Sequence, residues 1–204
     1  MALENPAEHC AALVKQRDPV RHVTALFAPE DRRRLLLALY ALDAEIVHIR
    51  DVVREEMILA IRHQWWRDAI DALPGATRGH PVLAELSHLL VAGPLDKADL
   101  IALIDAREDG MEPAITEGRV LALAARILGD DGGGNDLAML AGAALVTRSR
   151  DMLTEARKLW RNERIARRAQ LPAYLPATFV DARHPVTPLA LYWRTLWMAL
   201  RNRF

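Results

Sequence analysis

Asp151 and Glu155 stand four residues apart, as do Asp105 and Asp109. On a helix that spacing puts both carboxylates on one face, about 6 Å apart along the axis. Such oxygen pairs suit Mg²⁺, a hard cation usually held by one or two carboxylates together with a substrate's phosphates. The same spacing also serves ordinary surface ion pairs. Asp151 and Glu155 lie among Arg148, Arg150, Arg157 and Lys158, so a solvated, self-neutralising helix turn accounts for them without a metal. Asp105 and Asp109 flank Arg107 and Glu108 at a predicted helix end, which reads as a solvated face.

Other chemistry-bearing residues are sparse. Trp65 and Trp66 have the flat apolar surface to stack on a prenyl chain or a quinone, although Trp beside Ile61 and Ile70 at helical spacing is more often a core anchor. His48 lies on an apolar face with no metal partner at ligand spacing, and no Ser-His-Asp or Cys-His grouping emerges. Gly132-Gly133-Gly134 lacks both the Lys-Ser/Thr of a phosphate-binding P-loop and a preceding strand, so it reads as an interhelical loop. The single Cys10 excludes an internal disulfide and reads as a small apolar side chain.

With 27 basic and 27 acidic residues, no global field recruits nucleic acid or an anionic membrane. Any such attraction must be local. Residues 148–168 hold eight basic residues against three acidic ones, with Trp160 among them. A solvated face is the default there, and a peripheral surface for anionic headgroups or an acidic partner is the sharper expectation. No reader motif for nucleic acid accompanies the charge. Residues 1–9 have neither the basic lead nor the apolar run of a secretory signal, so a cytoplasmic protein is expected, one that can sit at the periphery of the inner membrane.

The elements that must carry these residues are helical. Leu and Ala dominate, and apolar residues recur at three and four rather than at two. Helix starts are marked by proline after a capping or turn residue, at Pro6, Pro19, Pro81, Pro113 and Pro188. These marks predict helices near 6–16, 19–27, 30–52, 56–72, 81–91, 97–108, 114–128, 136–168 and 188–202 in one all-α domain over 1–204, with a breaker at 171–176. Leu36, Leu39, Tyr40, Val47, Trp66, Ile104, Leu140 and Leu145 are the predicted core.

Three ordered segments resemble the squalene/phytoene synthase family: Ala38 to Asp51, Leu140 to Glu155, and Tyr174-Leu175-Pro176. The first is similar to the family's Tyr-Ala-x-x-Arg-x-x-Asp-Asp-x-x-Asp and the second to its Gln-Leu-Thr-Asn-Ile-Leu-Arg-Asp-x-x-x-Asp. Ile61 to Asp68 and Leu196 to Phe204 look like the branch that contains bacterial homologues and mitochondrial respiratory complex I assembly factors. The resemblance implies an isoprenoid-synthase helical bundle, shortened before the final helix, with the two motif helices facing each other across a central cavity.

It also implies a site in which Mg²⁺ and prenyl diphosphate are held between those helices. Carried over, the family's tyrosine falls on Tyr40, its arginine on Ala44, its first two aspartates on Val47 and His48, and its last on Asp51. Valine has no donor atom and neutral imidazole suits softer metals. In the second motif, Thr147 replaces the asparagine, while Arg150, Asp151 and Glu155 remain. The residual set is therefore Tyr40, Arg150 and Tyr174 toward a diphosphate and Asp51, Asp151 and Glu155 toward Mg²⁺.

This depletion favours a catalytically degenerate scaffold or assembly factor for a respiratory membrane complex, bound to one of its subunits or assembly intermediates and with room for a prenyl lipid. The alternative is a Mg²⁺-dependent head-to-head prenyltransferase that uses the residual set. A lipid or quinone carrier without chemistry is the third reading.

Overall fold

The local signals work as the sequence suggests. Asn5 accepts from the Ala7 amide at 3.1 Å ahead of Pro6, Asp18 from the Arg21 amide at 2.9 Å ahead of Pro19, and His80 Nδ1 from the Val82 amide at 3.3 Å ahead of Pro81. Each satisfies an amide that the helix itself leaves unpaired. Asp96 and Asp99 close a reciprocal capping box before Lys97.

The computed structural model describes residues 5–77, 79–129, 135–162, 170–177 and 188–201. Among them run α1 (Pro6–Arg17), α2 (Pro19–Ala25), α3 (Glu30–Val52), α4 (Glu56–Asp71), α5 (Pro81–Ala92) and α6 (Lys97–Glu108). Then follow α7 (Pro113–Ile127), α8 (Asn135–Thr147), α9 (Arg150–Asn162), α10 (Leu171–Tyr174) and α11 (Pro188–Leu200). No strand occurs among the described residues, so the all-α expectation holds.

Helix α3 is the axis of the bundle. Every residue from Leu35 to Asp43 is buried. A helix apolar on all sides must be covered on all sides, and α1, α2, α5, α6 and α7 provide that cover. Beyond Asp43 burial becomes one-sided, with Ile46 and Ile49 inward and Val47 40% exposed. Val47 therefore leaves the predicted core, because the inward face here runs through Ile46 and Ile49. Leu36, Leu39, Tyr40, Trp66 and Ile104 are buried as expected, whereas Leu140 and Leu145 are half-buried.

The helix expected over 136–168 is broken. Arg148 adopts a left-handed φ of 52°, and Ser149 restarts the chain by accepting from the Met152 amide at 3.3 Å, so α8 and α9 are separate. Residues 163–168 of that predicted helix lie outside the described residues. The predicted breaker at 171–176 contains the short helix α10, whose residues are all buried.

Helices α7 and α8 cross through glycine. A Cβ on Gly142 would lie 2.3 Å from the Gly118 nitrogen and 2.6 Å from its Cα. Helix α8 packs on α7 and α9, and α7 in turn packs on α3. Helix α7 thus links the two motif helices, packing on α3 and on α8.

Candidate functional site

The residual motif residues divide between the interior and the solvent. Tyr40 is buried on α3, with the Arg21 guanidinium 5.1 Å from its ring centroid, and its hydroxyl has no hydrogen-bond partner among the described residues. Burial pushes the Tyr40 phenol well above its ordinary pKa, although the Arg21 charge pulls the other way. It stays a neutral phenol at physiological pH. Tyr174 on α10 is buried and meets Trp160 edge-on, with ring centroids 5.6 Å apart.

Asp51 is exposed near the end of α3, its carboxylate 3.6 Å from His48 Nδ1. Arg150, Asp151 and Glu155 occupy the solvent face of α9, while Leu153, Ala156 and Trp160 turn inward. Glu155 accepts from Lys158 at 2.5 Å, the surface pairing that the sequence suggests. Trp160 is 6% exposed, so it is a core anchor and not the interfacial residue expected within 148–168.

The strongest electrostatic feature is one that the motifs do not contain. Arg21 of α2 donates to Asp43 of α3 at 2.7 Å and to Glu117 of α7 at 2.5 Å. Arg107 of α6 donates to Asp43 at 2.9 and 3.0 Å and to Glu117 at 2.9 Å. Two guanidiniums and two carboxylates thereby join four helices, with Arg21 also over the Tyr40 ring. Burial alone would depress the Arg21 pKa, but Glu117 and Asp43 outweigh it and hold the group above its ordinary value. Asp43 was visible in the sequence as the first charge after the uninterrupted apolar run Leu35 to Leu42. A buried charge requires a partner, and that requirement is the signal that points to Arg21 and Arg107.

A second feature is a cleft of about 600 Å³ between the exposed end of α3 and α4. Ile49, Val52, Ile61 and Trp65 supply apolar walls, and Trp66 stands against His80 with ring centroids 5.1 Å apart. Trp66 is the core anchor and Trp65 the partly buried wall residue. The polar lining is Glu45, His48, Arg62 and His80. Burial keeps the His80 imidazole below its ordinary pKa, and its Nδ1 is already engaged as the α5 cap. One arginine set against one glutamate does not neutralise a diphosphate, whereas the walls fit an uncharged apolar chain.

Among the described residues no three His, Cys, Asp or Glu side chains are grouped to hold a metal ion, so Asp51, Asp151 and Glu155 are not brought together. Asp43, the buried carboxylate on α3, has its oxygens occupied by two arginines. A hard cation held through one carboxylate would rely on water and substrate oxygens for nearly all its ligands.

Known proteins give the geometry its context. Similar curated proteins include NADH dehydrogenase (ubiquinone) complex I, assembly factor 6 of Bos taurus, 30% identical over 105 residues that make up 51% of this chain and 32% of that protein. The Drosophila melanogaster homolog is 33% identical over 109 residues, 50% of this chain and 33% of its own length. The Homo sapiens protein is 28% identical over 105 residues. The chain spans about a third of the length of the curated relatives it matches. The family model for squalene/phytoene synthase matches residues 14–129, more than half of the 204, from late α1 through α7 and including the Arg21–Asp43–Arg107–Glu117 network. The chain therefore belongs to the squalene/phytoene synthase family.

Proposed function

We propose that this chain is a family member without prenyl-transfer chemistry, and that it serves as a helical scaffold or assembly factor for respiratory complex I. The carrying observation is the dispersal of the residual carboxylates: Asp51, Asp151 and Glu155 all face solvent, and among the described residues no three His, Cys, Asp or Glu side chains are grouped to hold a metal ion. Ionising an allylic diphosphate needs positive charge aimed at the leaving group. Here the interior charges neutralise one another, and Val47 and His48 stand where the family carries aspartates. The names of the bovine and fly relatives support the assembly role. The partner is a complex I subunit or assembly intermediate, and the α3/α4 cleft is the place for a prenyl lipid tail.

The test is disruption of the gene in its own host, followed by native-gel separation of respiratory complexes. Loss or stalling of complex I, restored by the wild-type gene, is expected. Normal complex I content and activity would contradict the proposal.

A further inference from the structure

The α3/α4 cleft gathers polar groups that the fold itself leaves unused. Glu45 of α3 and Arg62 of α4 both line it, and neither side chain makes a hydrogen bond or an ion pair among the described residues. They stand on opposite walls and do not pair with each other. His80 lines the same cleft and accepts the Val82 amide at Nδ1, so its neutral ring carries the proton on Nε2, a donor with no acceptor among the described residues. His48 Nδ1 is buried without a hydrogen-bond partner, 3.6 Å from the Asp51 carboxylate. Buried polar atoms are normally satisfied, and an orphan beside a cleft calls for a partner from outside the chain.

Shape sets the size of that partner. On α3 the wall runs from Glu45 to Val52, about 10 Å along the helix, which is too short a groove for a partner helix. The volume of about 600 Å³ falls among small-molecule sites, roughly 300–1,000 Å³. Val52 and Ile61, one on each wall, are 63% and 61% exposed, so an apolar molecule would cover surface that the fold leaves wet. Charge sets the chemistry. A cation would gain from Glu45 and lose to Arg62, and an anion the reverse. A hydroxyl is the smallest uncharged group that donates to a carboxylate while it accepts from a guanidinium or an imidazole N–H. An ether only accepts, and would leave Glu45 facing another acceptor.

We propose that the α3/α4 cleft binds an uncharged lipid alcohol. Glu45 receives its hydroxyl proton, Arg62 and His80 donate to its oxygen, and its apolar chain covers Val52, Ile61 and Trp65. The proposal rests on the reading of this cleft as the place for a lipid tail and adds the head group that the cleft selects.

The experiment is calorimetric titration of the full chain, without Mg²⁺, with farnesol, its methyl ether, farnesylamine and farnesyl diphosphate. Farnesol should bind most tightly, and the ether about tenfold or more weaker, because a hydrogen bond to a charged group is lost. Glu45→Ala should bring farnesol down to the affinity of the ether and leave the ether unchanged, a loss of selectivity that general damage to the fold does not produce. Arg62→Ala, at an exposed position, repeats the test from the other wall and should turn the preference toward farnesylamine. Equal binding of farnesol and its ether by wild type would overturn the head-group proposal and leave the tail reading standing. Tighter binding of the amine or the diphosphate, or undiminished selectivity in Glu45→Ala, would also overturn it. Binding of none of the four would remove the proposal and the tail reading together.

Discussion

Arg21 Nη1 lies 2.7 Å from Asp43 Oδ2, and the two side chains are only 6% and 3% exposed. A pair this deep in the bundle stabilises only while it is complete, because a lone charge in that position would lose its hydration and gain nothing in return. Arg107 donates to the same carboxylate, so Asp43 is neutralised from two helices at once.

Asp43→Ala should therefore destabilise the fold by about 3–5 kcal/mol, the usual range for breaking a buried ion pair by removing one partner. Urea unfolding with unchanged m-value measures it. A neutral or stabilising change would instead mark Asp43 as a functional group held at the expense of stability.

Leu39→Ala should cost about 2–5 kcal/mol, since Leu39 is fully buried in the all-covered part of α3. Val47→Ala, four residues before Asp51 on the exposed stretch, should stay within about 0.5 kcal/mol. Equal effects at the two positions would contradict the burial pattern.

Gly142→Ala tests the α7–α8 crossing. The added methyl meets Gly118 backbone, which cannot rotate away as a side chain can. A loss of about 1–3 kcal/mol is expected from overpacking, against the gain that Gly→Ala normally brings within a helix. An increase in melting temperature would show that the helices separate freely.

Acid should destabilise the protein below about pH 6.5. Burial is the largest influence on His22, His63 and His80 and holds all three below their ordinary pKa. The unfolded chain takes up protons near pH 6.5, while the folded chain resists until its lower values are reached. Between those limits the unfolded state binds more protons, so stability falls as pH drops. Melting temperatures measured from about pH 7.5 down to about pH 5 should show the decline. His63→Leu should flatten it, because His63 is fully buried and neither ring nitrogen has a hydrogen-bond partner among the described residues. An unchanged slope would remove His63 from the account.

What was legible in the sequence was mostly local. Asn5-Pro6, Asp18-Pro19 and His80-Pro81 announce their helices because cap and proline act within one turn. The break between α8 and α9 was missed because Thr147 to Arg150 contain neither glycine nor proline, and the only sign was Ser149 as a cap. The ionic network was missed for a different reason. Its members stand at 21, 43, 107 and 117, and no spacing rule links residues that tertiary packing alone brings together. The residual motif residues were legible by type, but type did not reveal that Tyr40 and Tyr174 are buried while Asp51, Asp151 and Glu155 face solvent.

The most direct measurement is diphosphate release from farnesyl or geranylgeranyl diphosphate incubated with the folded protein and Mg²⁺. The depleted and dispersed carboxylates predict none above the no-protein control, since losing even one well-placed electrostatic group can cost roughly 10²–10³ in rate. Mg²⁺-dependent release that Asp151→Ala abolishes would contradict the account and make the chain a working prenyltransferase.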